Sequence, residues 1–231
     1  MVLVAACATN PVMRRATVIA DADRAAKAAV ANEARLDAGK IPPRSFAVMP
    51  FSVAMRDTLL RPLGFGLADL LISDLAKSPA LRLVERTQTD AMLRELSLAD
   101  EGIVDPRQAP RVGRLIGARR ILVGGARMAV KGGIVLDVRV VDVIAGTVEQ
   151  LVTGEAPLDR VIDAEKELAL LIFERLGITL TPAQRLAVEQ RQTTQLAALV
   201  AYGRGVQAET KGDAAGAIAA FEEASRLDAA F

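Results

Sequence analysis

Between Arg120 and Ala156 the chain reads as three strands in succession, separated by two tight turns, and no other stretch limits the fold as much. Residues 120–130 run into Lys131-Gly132-Gly133, residues 134–143 follow, and Gly146 marks the turn into residues 147–156. In the middle strand Ile134, Leu136, Val138 and Val140 face one way while Asp137 and Arg139 face the other. That period of two places one face on a core and turns the other outward. A meander of this kind is not stable alone and needs helices to cover its apolar face.

The rest of the chain supplies them. An Ala-rich helical pattern over 19–38 stops at Pro42-Pro43, and Ser45-Phe46-Ala47-Val48-Met49-Pro50-Phe51 then reads as a buried strand. Residues 63–77 form a helix that is apolar over most of its surface, with Asp69, Ser73 and Lys77 as its one polar stripe. Leu81-Arg82-Leu83-Val84-Glu85 is a second strand. Thr87, with Asp90 three residues on, marks a helix start, and Leu93 and Leu96 supply that helix's apolar face. Asp105-Pro106 opens a further helix that Gly117 closes. After the meander, a helix over 159–176 ends at Gly177, and Thr181-Pro182 caps one more. The order β-α-β-α-α-β-β-β-α predicts an α/β fold with a mixed sheet flanked by helices.

Composition removes most chemistry from consideration. The 231 residues include no His, no Trp and a single Cys. Without His the usual zinc and non-haem iron sites and the Ser-His and Cys-His nucleophile pairs cannot be built. A lone Cys excludes an intrachain disulfide and a CxxC redox pair. No catalytic, cofactor-binding or metal-binding residue is assigned. Lys and Arg number 29 against 28 Asp and Glu, a balance that gives no argument for nucleic acid as a partner. No apolar run approaches the ~18 residues of a membrane-spanning helix.

A series of short motifs runs through the same region: Leu83-Val84-Glu85-Arg86, Leu93-Arg94-Glu95-Leu96, Gly102-Ile103-Val104-Asp105-Pro106, Val112-Gly113-Arg114-Leu115-Ile116-Gly117-Ala118 and Val141-Asp142-Val143-Ile144-Ala145-Gly146. In this order, over about 45–176, they resemble the CsgG/HfaB group of outer-membrane lipoproteins, which overlaps in fold with the amino-terminal domain of TolB. Read as residues, Asp105-Pro106 and Gly117 are helix punctuation, and Asp142 with Gly146 is turn chemistry. Glu85 and Arg86 read as an ion pair or a ligand site, the pair being the simpler account.

Val4-Ala5-Ala6-Cys7 resembles a bacterial lipobox, in which a peptidase cuts before a diacylated cysteine. Residues 1–18 are accordingly expected to be a truncated signal with its lipobox and tether, residues 19–40 a helix, and Cys7 the point of lipid attachment. Ala8 rather than Asp at the next position implies, by analogy with such lipoproteins, the outer membrane.

Two further patterns have plain structural readings. Gly64-Phe65-Gly66 opens a helix after a strand but lacks a third glycine and a following GK[ST], so it reads as close packing and not as a phosphate loop. Arg107, Arg111 and Arg114, with Arg119 and Arg120 nearby, read as a solvated face.

At the C-terminal end, Ala217, Phe221 and Ala224 have the small-large-small spacing of the second helix of a tetratricopeptide repeat. Gly205 lies in the first helix of that pattern, Gly212-Asp213 makes the turn, and residues 198–231 span one repeat length. One repeat cannot bury its own apolar face, so it must dock on something.

The expected organisation is an α/β domain over 41–180 followed by a helical linker and a single repeat-like hairpin over 181–231. The resemblance implies a non-catalytic, periplasm-facing outer-membrane lipoprotein. It would serve as an assembly or scaffold component of a cell-envelope or secretion structure without itself forming a pore. Its partners would be the membrane, through the anchor, and other envelope proteins, through the hairpin at Phe221 and Tyr202, with self-association a further expectation. A TolB-like ligand- or nucleotide-sensing regulatory module is the alternative reading.

Overall fold

The computed structural model describes residues 11–98, 104–130 and 133–231. Cys7 and the Gly102-Ile103 part of the loop motif lie outside the described residues. Helix α1 spans Pro11–Ala31, so residues 11–18, expected as tether, are helical, and the helix ends well before residue 38. Proline suits a first helical position because its missing N–H has no partner there in any case. Beyond Ala31 only two single turns of tighter helix follow.

Strands β1 (Ser45–Val48), β2 (Ser52–Ala54), β3 (Arg82–Leu83), β4 (Arg120–Met128), β5 (Ile134–Asp142) and β6 (Thr147–Ala156) make one six-stranded sheet. Its order is β3-β1-β4-β5-β6, with β2 also paired to β4. β1 runs parallel to β3 and β4, and the β4-β5-β6 meander is antiparallel. The first expected strand is thus split: Pro50 cannot donate to the ladder, and pairing with β4 resumes at Ser52. The second is shorter than expected, because only Arg82 and Leu83 pair with β1.

Helices cover both faces. Helices α2 (Leu63–Leu75) and α5 (Val161–Arg175) pack one apolar core, in which Ile134, Leu136, Val138 and Val140 lie as the alternation required. The other face carries α1, α3 (Arg86–Glu95) and α4 (Ala109–Ile116) over a second core of Met49, Met92, Leu93, Ile121 and Val143. α4 begins later than Asp105-Pro106. The Asp105 carboxylate instead accepts the Arg107 N–H at 2.8 Å and closes a turn ahead of the helix.

The motifs have packing causes. An added Cβ on Gly113 would meet Val143 Cγ2 at 2.2 Å, so only glycine lets α4 sit on the end of β5. Gly117, at φ 70°, ends that helix left-handed. Asp142 accepts the Ile144 and Ala145 N–H groups at 2.8 and 2.7 Å and the Arg119 guanidinium at 2.7 Å. Burial would lift its carboxyl, but these donors outweigh burial and hold it below the usual range. Arg107, Arg111, Arg119 and Arg120 are ion-paired with Asp105, Glu33, Asp142 and Glu149, so the expected solvated face is largely a set of pairs.

After α6 (Pro182–Glu189), which carries the full Thr181/Gln184 capping box, come α7 (Leu196–Lys211) and α8 (Ala214–Leu227). They form an antiparallel hairpin turning at Gly212, φ 82°, and Asp213 caps α8 through the Gly216 N–H. Among the described residues no helix is long and apolar enough to cross a membrane.

Candidate interaction cleft at the hairpin–domain seam

The hairpin docks on the α/β domain through α7, and small residues make the approach close. A Cβ on Gly203 would lie 2.0 Å from the Pro62 carbonyl oxygen, and one on Gly66 would meet Leu199 Cδ1 at 3.0 Å. A Cβ on Gly64 would be 2.1 Å from the Phe51 carbonyl oxygen. Gly64-Phe65-Gly66 is therefore a packing device, with one glycine serving the sheet and the other the hairpin.

A polar network closes the rest of the seam. Tyr202 Oη donates to Asp69 Oδ2 at 2.5 Å, and Arg86 Nε meets Asp69 Oδ1 at 3.0 Å. Arg86 also reaches Glu209 at 2.5 Å and Asp90 at 3.5 Å. These are its partners in place of the expected Glu85. Arg94 donates to the Thr210 carbonyl at 2.9 Å and to Asp23 of α1 at 2.7 Å. Four helices are thereby joined. Burial pushes the Asp90 carboxyl up to about 6, with Arg86 opposing, and burial together with the Asp69 charge raises the Tyr202 hydroxyl.

Beside this network lies a cleft of about 580 Å³, walled by Asp69 and Ser73 on α2, by Lys77 just past its end and by Tyr202, Phe221 and Phe231. The stripe of α2 that read as its one polar face is thus a cleft wall. The chain has six Phe and one Tyr, and three of these rings converge here: Tyr202 lies 5.3 Å from Phe221 and 4.8 Å from Phe231 between centroids. A Cβ on Gly205 would meet the Phe221 ring at 2.3 Å, so the ring lies directly on the α7 backbone. Phe221 is only half-buried, which leaves part of it facing the cleft. Tyr202 and Phe221, the residues expected to bind a partner, stand together, and Tyr202 spends its hydroxyl on the domain. A larger groove of about 690 Å³ lies near the starts of β1 and β4, where Arg120 is already held by Glu149 and the Pro43 carbonyl.

One cluster joins residues that no sequence pattern links. Asp74 of α2 and Glu165 and Lys166 of α5 are buried together, with Lys166 Nζ 2.6 Å from Asp74 Oδ2 and 3.3 Å from Glu165 Oε2. Lys166 also donates to Gln192 Oε1 at 2.9 Å. Gln192 belongs to the strap of residues 190–195 between α6 and α7, and it lines the cleft. Among the described residues no group of three or more Asp, Glu, Cys or His side chains could hold a metal ion.

The family model for curli production assembly/transport component CsgG matches residues 40–129. Over these residues the chain is similar to CsgG. Residues 40–129 take in β1 to β4 with α2, α3 and α4, that is, the parallel part of the sheet and the α2 wall of the cleft. Solved structures are also partly similar to this chain. The LpoB C-terminal domain from Escherichia coli is 19% identical, covering 59% of this chain and 98% of its own, with a TM-score of 0.42. The domain from Salmonella enterica gives the same figures: 19%, 59%, 98% and 0.42. Lipoprotein GNA1162 from Neisseria meningitidis is 14% identical, covering 60% of this chain and 100% of its own, with a TM-score of 0.41. No curated protein matches the chain.

Proposed function

We propose that this chain is a periplasm-facing outer-membrane lipoprotein, anchored through Cys7. In this reading it acts without catalysis as an assembly or scaffold component of a cell-envelope or secretion structure. The observation that carries the reading is the aromatic cleft at the seam, formed jointly by a CsgG-like domain and a repeat-like hairpin. It is a concave, partly apolar surface with a few fixed polar groups, which is what a recognition site for another protein requires. The description of the matched family, a curli assembly/transport component, supports an envelope setting. The β4-β5-β6 strands pack their apolar face under α5, which supports the reading in which the protein decorates or supports a membrane assembly without lining a channel.

Two experiments test this. Cys7→Ser will move the protein from the membrane fraction to the soluble periplasm, since two or more acyl chains give stable anchoring and a bare tether gives none. Unchanged fractionation would remove the anchor. Phe221→Ala will leave the fold intact but weaken partner recovery at least about tenfold, a loss of about 1.4 kcal/mol at the cleft. The ring is half-buried, so the folding cost will fall below the ~3–5 kcal/mol of a fully buried Phe. Full partner recovery by a folded variant refutes the cleft as the docking site.

A further inference from the structure

We infer that Asp74 and Glu165 together form a buried proton-binding site whose occupancy controls the strap of residues 190–195, and with it one wall of the cleft. The inference starts from three oxygens. Asp74 Oδ1 and both oxygens of Glu165 are buried without a well-formed hydrogen bond, Glu165 Oε2 having only its 3.3 Å ion-pair contact with Lys166 Nζ. Such atoms are costly unless paired, and two carboxylates against one ammonium would leave a net negative charge in a dry site. A single proton resolves both problems. Carried by Glu165 and donated to Asp74 Oδ1, it gives an oxygen of each residue a partner and makes the cluster neutral.

The charges facing the site assign the proton to Glu165. α2 presents Asp74, α5 presents Lys166 beside Glu165 itself, and the strap presents the neutral Gln192. The two carboxyl groups share one ammonium, Lys166 Nζ, at 2.6 and 3.3 Å, and each bears on the other's charge. Burial lifts both above the ordinary range, and Lys166 opposes the lift more strongly at Asp74, 2.6 Å away, than at Glu165, 3.3 Å away. The Glu165 carboxyl is pushed up to about 8, first by burial and then by the Asp74 charge.

The strap is the way in. Gln192 is the one member of the cluster that is not buried. On either side, Arg191 is bonded to Asp163 of α5 at 2.5 Å, and Thr193 donates to Asp228, just past α8, at 2.6 Å. Water reaches an ionised Glu165 by displacing Gln192, which loosens the link between α5 and the hairpin. Because the folded carboxyl holds its proton up to about 8 and an opened one releases it near 4.5, closure is strongest below the lower value. It weakens progressively as pH rises through that window and levels off above it. The regulatory consequence rests on the cleft being the partner site; the proton site itself does not.

Hydrogen exchange of the full-length protein at strap amides, expressed as protection factors, tests the proton site without any partner. Protection will fall by up to about tenfold per pH unit from about pH 6 to about pH 8 and then flatten, as linkage to one proton requires. Glu165→Gln keeps a neutral donor and will make strap protection independent of pH. Asp74→Asn removes the competing carboxylate and leaves Lys166 to Glu165 alone, so the Glu165 carboxyl will also lose the slope. Wild-type protection that is flat with pH, or a slope that survives in Glu165→Gln, overturns the inference. A clear slope combined with full partner recovery by Phe221→Ala would instead refute the cleft and leave the proton site standing.

Discussion

Gly203→Val will separate the hairpin from the α/β domain. The new side chain has nowhere to go, because its first carbon falls 2.0 Å from the Pro62 carbonyl oxygen and 2.7 Å from the carbonyl carbon. These are backbone atoms at the start of α2, so no rotamer change relieves the clash. α7 must move away, and Leu199, fully buried against α2, moves with it. Overpacking of this kind costs about 1–3 kcal/mol, and exposing the apolar seam to water raises that figure. Urea denaturation will show the lower midpoint, and limited proteolysis will show cleavage in residues 190–195 ahead of the sheet. Gly216→Ala is the control. Its added carbon would meet the Asp213 carboxylate and not the domain, so it will disturb the α8 cap and leave the seam closed.

Lys166→Met is the second large effect. It removes the one cation from a site holding two buried carboxyl groups, and losing one partner of a buried pair costs about 3–5 kcal/mol. The loss depends on pH in a definite sense. With no ammonium nearby, the Asp74 carboxyl rises further, so the folded state takes up protons that the unfolded chain releases. Stability then falls as pH rises and recovers as pH is lowered toward the ordinary carboxylate range. Denaturation at about pH 5 and about pH 8 will separate the two regimes, with the larger deficit at the higher value. The triple variant Asp74→Leu, Glu165→Leu, Lys166→Met will be at least as stable as the wild type, because apolar residues of similar size remove the desolvation cost altogether. A triple variant that fails to fold would mean the cluster specifies the packing of α5 on α2 and not only its stability.

How far the sequence could be read depends on the range of each interaction. Elements whose cause lies within a few residues were legible. The alternation in β5, the helix ends at Gly117 and Gly212, and the Thr181-Pro182 cap of α6 appear where their residues predict them. Boundaries set by tertiary pairing were not. β3 keeps only the residues that face β1, and the helix expected from Asp105 waits until Ala109 because Asp105 first closes a turn. The seam network joins residues far apart in the chain, such as Arg86 with Glu209, and nothing local announces it. Asp74 did leave a signal. It stands off the Asp69-Ser73-Lys77 stripe, on the apolar side of its helix, where a charge requires a buried partner. That partner, Lys166, lies 92 residues away, beyond the reach of any periodicity.

The convergence of rings at the seam has a practical consequence. The chain has no Trp and a single Tyr, so its intrinsic ultraviolet emission arises almost wholly from one side chain, Tyr202. That ring is hydrogen-bonded to Asp69 of the domain and touched by Phe221 and Phe231 of the hairpin region. The molecule therefore carries a reporter at the one place where its two parts meet, with no competing signal from the sheet. Circular dichroism follows the whole backbone, whereas emission follows the seam alone. Where the two melting curves coincide, the chain unfolds as one cooperative unit; where emission changes first, the hairpin lifts from an α/β domain that is still folded.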